Sequence, residues 1–332
     1  MTLDLPLTFM ALMGVAMLAY VVLDGYDLGV GMLMPVADPD EQNVMVGSIG
    51  PFWDANETWL VLGVGMLLAA FPAAHGVVLT ALYLPVTAML IGLMLRGVAF
   101  EFRVKAEGWH RELWNWLFWF GSFLAALAQG FMLGRYITGF EAGFGYFVFG
   151  LLVAASVCGG YVLLGATWLV WRTEGPLQRK ALAWTRWGLL WVALGVALVS
   201  VATPLASESV RDKWFDFPRT LGLMLLPLGC AAAWLSIWRL TALKRNGRSI
   251  PDWGPFAAAV VIYVLAFAGL AYSLFPYIVM DRVTIWDAAA HPSSLKIVLA
   301  GALIVLPFIV AYTVYSYRVF RGKASARLYE HQ

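Results

Sequence analysis

Nine separate stretches of this chain are apolar for long enough to cross a membrane, which takes about 20 residues of helix. They run near 7–34, 50–71, 76–100, 113–135, 144–171, 184–206, 220–242, 255–280 and 295–317. A segment in hydrocarbon must satisfy its backbone polar groups internally, and a helix does so within itself. The sequence therefore predicts an all-α fold, a polytopic transmembrane bundle of about nine helices. Charge content agrees. Only 13% of the residues are charged and mean hydropathy is +0.77, whereas a soluble domain carries about 25% charged residues. The connections are short and contain no linker or low-complexity tract, so residues 1–332 read as a single transmembrane helical domain. Net charge is only +2, which gives no reason to expect a nucleic-acid partner.

Lysine and arginine accumulate on the cytoplasmic side of membrane proteins. Segments 101–112, 172–186, 239–248 and 318–332 hold 15 of the 22, among them Arg103, Lys105, Arg111, Lys180, Lys244 and Lys323. The alternate segments hold six, and Arg96 lies inside the third span. This bias predicts an outside N-terminus and a cytoplasmic C-terminus, as an odd number of spans requires. No basic region precedes the first apolar stretch, so that stretch reads as a retained helix and not a cleaved signal. Cys158 and Cys230 each sit in an apolar run and read as small packing residues, with neither disulfide nor metal spacing.

Ionisable residues inside spans cost about 2.5–3.5 kcal/mol each at a helix centre on insertion scales, so they mark function or pairing. The first span ends DGYDLGVGML, with Asp24 and Asp27 three residues apart. The second begins GPFWDANETWLV, with Asp54 and Glu57 three apart and Asn56 between them. Arg96 lies near the end of the third. At about 1.5 Å per residue, Asp27 and Glu57 lie about 10 Å in from their helix ends, and Asp54 and Arg96 about 6 Å. If these helices are neighbours, an inner-leaflet polar cluster follows. One reading is structural: Asp54 and Glu57 favour a helix N-terminus, and Arg96 snorkels or pairs with Asp27. The other is a proton path, because crowded, buried carboxylates can exchange protons near neutral pH. The glycines of DGYDLGVG suit close helix packing. With no strand before it, that run is no phosphate loop.

His75, His110, His291 and His331 fall in connections, at span edges or in the tail. A heme inside a bundle usually takes an axial His, Met or Cys. The expectation is that this chain binds no cofactor and no metal of its own.

Three stretches resemble the second subunit of cytochrome bd-type quinol oxidases. DGYDLGVG (24–31) is similar to that family's first-helix motif, SIGPFWDANETWLV (48–61) to its second, and LYLPVTAMLIGLMLRGVAFEFR (82–103) to its third. WDAAAHPSSLKIVL (286–299), with the apolar span and basic tail that follow, resembles its end. Any one motif is weak, but three in order at this spacing are specific. The resemblance implies a multi-pass subunit in the bacterial cytoplasmic (inner) membrane that carries no heme. Its partner would be a heme-bearing subunit I with two hemes b and a heme d, which oxidises quinol and reduces oxygen to water. It further implies that this chain stabilises the oxygen-reducing site and contributes to proton delivery. Asp54 matches the family's second-helix aspartate linked to proton supply, and Trp59 an aromatic near the oxygen route. Glu57 stands where some members carry a neutral side chain, so Asp54, Glu57, Asp27 and Asp24 are all candidates for the path, with Arg96 and Asn56 as polar partners. Small single-helix accessory subunits and a lipid or quinone held in a groove are further expectations. Membership of the cyanide-insensitive type depends on the partner. Two other readings compete: a proton-coupled transporter using the carboxylate cluster as its ion site, and an assembly scaffold whose charges only pair.

Overall fold

The structure, a computed structural model, describes residues 4–324, leaving the basic tail beyond them, with Arg327 and His331, outside the described residues. Helix α1 (Leu5–Leu33) starts where Asp4 accepts a hydrogen bond from the Leu7 amide at 3.1 Å, with Pro6 in the first turn. Both residues suit a helix start, since the first amides have no helical acceptor. A short turn leads to α2 (Pro39–Ile49), opened by a capping box between Asp38 and Glu41. Then come α3 (Trp53–Ala70), α4 (Pro72–Arg103), α5 (Gly108–Ile137), α6 (Phe144–Arg172) and α7 (Gly175–Ala206). The short α8 (Glu208–Trp214) and α9 (Arg219–Leu223) precede α10 (Leu225–Arg245) and α11 (Gly254–Leu274). A hairpin of β1 (Tyr277–Val279) and β2 (Val283–Thr284) leads through α12 (Ile285–Ala288) to α13 (Pro292–Val319).

Among the described residues eight helices are long and apolar enough to cross a membrane. The second of the nine expected spans is present as α3, which has only 18 residues and carries Asp54 and Glu57 in its first two turns. At about 27 Å it falls just short of the hydrocarbon thickness, and its polar start dilutes its hydropathy. The expected span 255–280 ends earlier, at Leu274. Pro276 has no amide to continue the helix, and the chain turns at Asp281 (φ 57°) into the antiparallel hairpin. That hairpin rests on α5, whose Tyr136 hydroxyl donates to the Ile278 carbonyl at 2.8 Å. Helix α4 runs unbroken through Pro85.

Helix α1 is central and packs against α3, α5 and α6, while α4 lies on α5 and α7 on α6. Small residues set these distances. A Cβ on Gly29 would overlap the Tyr161 carbonyl, and one on Gly165 the backbone of Gly29. Gly92 and Gly121 meet in the same way between α4 and α5. Lipid supplies no hydrophobic drive to press helices together, so close backbone approach and dispersion must do it.

The connections at the basic end are tied to one another. Lys180 bridges Asp38 and Glu41, each at 2.7 Å, joining α7 to α2. Asp252 receives Lys244 at 2.5 Å, Lys323 at 2.7 Å and the Gln178 amide at 3.2 Å. Burial alone would raise the Asp252 carboxyl, but the hydrogen bonds from Lys244 and Lys323 outweigh it and hold it below the usual carboxylate range.

Gly29→Ala and Gly165→Ala each force α1 and α6 apart. Each is expected to destabilise the protein by about 1–3 kcal/mol, as overpacking does. Gly65→Ala is the control, because a Cβ there meets nothing within 4 Å. Thermal unfolding of the purified complex in detergent separates the three: the first two unfold earlier, and Gly65→Ala unfolds with the unmodified protein.

Candidate functional site: a buried ion cluster

Helices α1, α3 and α4 bring their charges together at the basic end. The Arg96 guanidinium lies 2.7 Å from Asp24 Oδ1, and both side chains are almost wholly inaccessible, at 1% and 0% exposure. Its other terminal nitrogen donates to Glu57 Oε1. Arg96 therefore joins α1 to α3 across α4. The Trp53 ring lies 5.9 Å from the guanidinium carbon. Glu57 remains 27% exposed, so the triad has one edge open to the surface of this chain. The sequence allowed Arg96 to pair with Asp27, but Asp24 and Glu57 are its partners. The reason is helical phase: residues three apart are displaced around the axis, so Asp24 and Asp27 meet different neighbours.

Asp27, also wholly buried, belongs to a second network. Asn56 Nδ2 donates to Asp27 Oδ2 at 2.7 Å, and lies 3.0 Å from the Tyr26 hydroxyl and 3.3 Å from the Leu23 carbonyl. The Tyr317 hydroxyl donates to Asn56 Oδ1 at 3.3 Å and lies 2.5 Å from that of Tyr26. Aromatic rings enclose this network. Tyr26 stacks on Trp168 at 4.1 Å and Tyr317 on Phe52 at 4.4 Å. Arg172 lies over Trp168 and Phe52 and donates to the Phe320 carbonyl at 2.5 Å. The C-terminal end of α13 thus closes over the Asp27–Asn56 pair.

A third arm leads toward the middle of the bundle. Gln129 of α5 donates to the Tyr20 hydroxyl and accepts from that of Tyr161, both at 2.7 Å. Tyr20 lies one turn before Asp24 on α1. A fourth set holds the α4–α5 connection: buried Arg103 donates to Asn115 and to Asn43, the latter at 2.9 Å.

Of the residues singled out from sequence, Asp24, Asp27, Asn56, Glu57 and Arg96 come together. Asp54 does not, because it points out of α3 on an exposed face, one turn before Glu57. Trp59 is buried among Ala16, Tyr20, Leu306 and Ile309, and its indole nitrogen has no hydrogen-bond partner among the described residues. The sequence reading passed over Tyr20, Gln129, Tyr26, Tyr161, Tyr317 and Arg172. Gln129 carried a signal: it is the only amide deep inside the fourth expected span. The tyrosines carried none, because tyrosine is ordinary in apolar segments.

His75 lies in the first turn of α4, His110 in that of α5, and His291 caps α13. Among the described residues no three His, Cys, Asp or Glu side chains gather as a metal site. These histidines do not form an axial-ligand seat in the middle of a span. Cys158 and Cys230 are free thiols. A groove of about 920 Å³ lies between the end of α7, α8 and Tyr272 of α11, and no residue of the ion cluster lines it.

Apolar helices wrapped around a paired charge cluster define a multi-pass membrane protein whose interior is organised for charge. The family model for cytochrome bd terminal oxidase subunit II matches residues 5–320. The chain belongs to that family and is thus a subunit of a bacterial inner-membrane quinol oxidase. Among its relatives, cytochrome bd ubiquinol oxidase subunit 2 of Bacillus subtilis is 28% identical over 95% of both chains. The cytochrome bd-I ubiquinol oxidase subunit 2 of Escherichia coli K12 is 28% identical over 94% of this chain and 93% of its own. The fold is similar to a chain in the structure of bd oxidase from Geobacillus thermodenitrificans, with a TM-score of 0.77 at 16% identity over 97% of this chain and all of the other.

Replacing Arg96 with Met leaves Asp24 buried without its counter-charge, a change that typically costs about 3–5 kcal/mol. Arg96→Met is expected to abolish stable accumulation of the subunit, and Arg96→Met with Asp24→Asn to restore part of it. Immunoblotting of membranes against total chain measures both.

Proposed function

We propose that this chain is the heme-free subunit of its oxidase, that it packs against the heme-bearing subunit and stabilises the oxygen-reducing site, and that α3 carries protons toward that site from the cytoplasmic side. The single observation behind this reading is the exposed carboxylate of Asp54, one turn from the open edge of the Arg96 triad. A carboxylate within a span does not face hydrocarbon; it faces protein or water. The outer face of α3 is therefore a contact surface for the partner subunit, and Asp54 and Thr58 lie on it. The basic end, with Arg103, Arg111, Lys180, Lys244 and Lys323, faces the cytoplasm by the distribution of positive charge.

On this reading the two hemes b, the heme d and the quinol site belong to the partner, where electrons pass from quinol to oxygen. Water formation consumes protons, and the residues here would bring them to the shared surface. Asp54 collects a proton at the mouth and Glu57, still partly accessible, accepts it. Arg96 and Asp24 hold Glu57 in place without moving. Asp27 and Asn56 stand behind an aromatic wall and serve to position α3 against α1. Trp59 lines the apolar side of α3, a suitable wall for an oxygen route. Single-helix accessory subunits and a lipid or quinone in a groove of this subunit complete the proposed assembly.

Asp54→Asn keeps the shape and removes the titratable group, and Asp54 does not cap α3, whose N-cap position is Phe52. Loss of a proton relay is expected to slow quinol oxidation about tenfold or more, about 1.4 kcal/mol on the barrier, with heme content per complex unchanged. The double variant with Glu57→Gln falls further. Turnover and heme are measured on the same purified complex. Full turnover at full heme content removes the relay and leaves the scaffold reading. Loss of heme makes the role structural.

A further inference from the structure

Helices α7 and α10 pack side by side, and neither contains an aspartate or a glutamate. Both carry cations. Lys180 of α7 and Lys244 of α10 are neutralised from other elements, by Asp38 with Glu41 and by Asp252. Arg186 of α7 is not. It is half-buried, yet among the described residues it has no hydrogen bond and no ion pair.

An indole holds it instead. The Arg186 guanidinium carbon lies 4.3 Å from the centre of the Trp238 ring on α10. Trp238 stacks on Trp234 at 5.6 Å, with the ring planes 13° apart. Trp234 in turn donates its indole N–H to the Leu189 carbonyl of α7 at 2.9 Å. An arginine of α7 therefore rests on a tryptophan of α10, and the stack beneath it is fastened back to α7. The guanidinium is held before any ligand arrives. Attraction to a π face uses no hydrogen-bond acceptor. The N–H donors of the arginine fork remain to be satisfied, and their planar geometry matches two oxygens of a phosphate.

The level of Arg186 narrows the source of that phosphate. It stands at the edge of the span read at 184–206, between Trp184 and Trp187, and tryptophan marks the headgroup level of a bilayer. From there the exposed side chains of Leu190, Leu194 and Leu198 continue four residues apart along α7, a spacing that keeps them on one face. A cation at headgroup level above an apolar track is the complement of a phospholipid. Charge balance selects among phospholipids. The ammonium of phosphatidylethanolamine would find no carboxylate on α7 or α10, whereas a headgroup with net negative charge leaves nothing unpaired.

We propose that Arg186, held on Trp238, binds the phosphodiester of an anionic phospholipid at the seam between α7 and α10, with an acyl chain lying along Leu190, Leu194 and Leu198. This gives a site and a chemistry to the lipid of the proposed assembly and rests on that reading.

The test uses the intact oxidase complex in detergent and a photoactivatable phosphatidylglycerol, with the labelled peptides located by mass spectrometry. Label is expected on α7 and α10 near Arg186 and Trp238. Excess phosphatidylglycerol should displace it, and the same amount of phosphatidylethanolamine or inorganic phosphate should not. Arg186→Gln, at normal heme content, is expected to reduce that label about tenfold, the order of effect when a hydrogen bond to a charged group is lost. Lys105→Gln removes an exposed cation from the α4–α5 connection and should leave the label unchanged. Equal displacement by phosphatidylethanolamine, or displacement by inorganic phosphate, overturns the proposal. So does an equal loss of label in Lys105→Gln, which reduces the attraction to diffuse surface charge. If Arg186→Gln does not assemble, the displacement series on the unaltered complex decides. Lipid extraction from the same purified complex separates this site from the reading beneath it. A complex that retains no phospholipid removes the lipid from the assembly altogether. Retained phospholipid without label at the α7–α10 seam removes only this site.

Discussion

A guanidinium buried to 1% exposure inside a membrane protein dictates what surrounds it. Arg96 cannot shed its charge, because arginine stays protonated in proteins, and its side chain is turned into the bundle, away from water. The chain meets that demand with carboxylates from two other helices, Asp24 on α1 and Glu57 on α3. These contacts fix the rotation of three helices about their axes and their relative height. The rest of the basic end is arranged around them: Asp27 is turned toward Asn56, and Asp54 outward.

Such precision needs helices that approach closely. The glycine contacts between α1 and α6 and between α4 and α5 bring backbones together. Gly92 and Gly121 meet one turn from Arg96, so the same approach that packs α4 on α5 delivers the arginine to its partners. Packing and electrostatics are thus one construction. Lengthening any of these distances by a methyl group weakens the ion pairs as well as the van der Waals contact.

Much of this was legible in the sequence, for physical reasons that also mark where legibility stops. Apolar length announces a span, so the bundle and eight of its crossing helices could be read directly, while α3 is shorter than the apolar stretch 50–71 suggests because its first turns are polar. Charges in apolar runs are conspicuous, so Asp24, Asp27, Glu57 and Arg96 stood out. Their pairing did not, because a spacing of three places two residues near one face but leaves helix rotation undetermined. Helix α2 went unread, although Asp38 and Glu41 spell a capping box at its start, because apolar length says nothing of so polar a helix. The hairpin at 277–284 rests on Pro276 and Asp281, which look like a frayed helix end until the strands are seen. Tyr20 and Tyr161 acquire meaning only through Gln129, a contact spanning more than a hundred residues for Tyr20.

Helix α13 contributes Tyr317 to the Asn56 network, and the Phe320 carbonyl just beyond its end receives Arg172. Lys323 then ties the chain to Asp252 and to the carbonyls of Trp171 and Thr173. It is the last of the described helices to leave the ribosome. Until it arrives, Asn56, Arg172 and the Trp168 stack lack their covering side, and Asp252 lacks one of its two lysines. Helix α13 therefore works as a clasp: the aromatic interior is sealed only once it has docked. Without α13 the Asn56 amide, Arg172 and the Trp168 stack would face an open, polar side of the bundle.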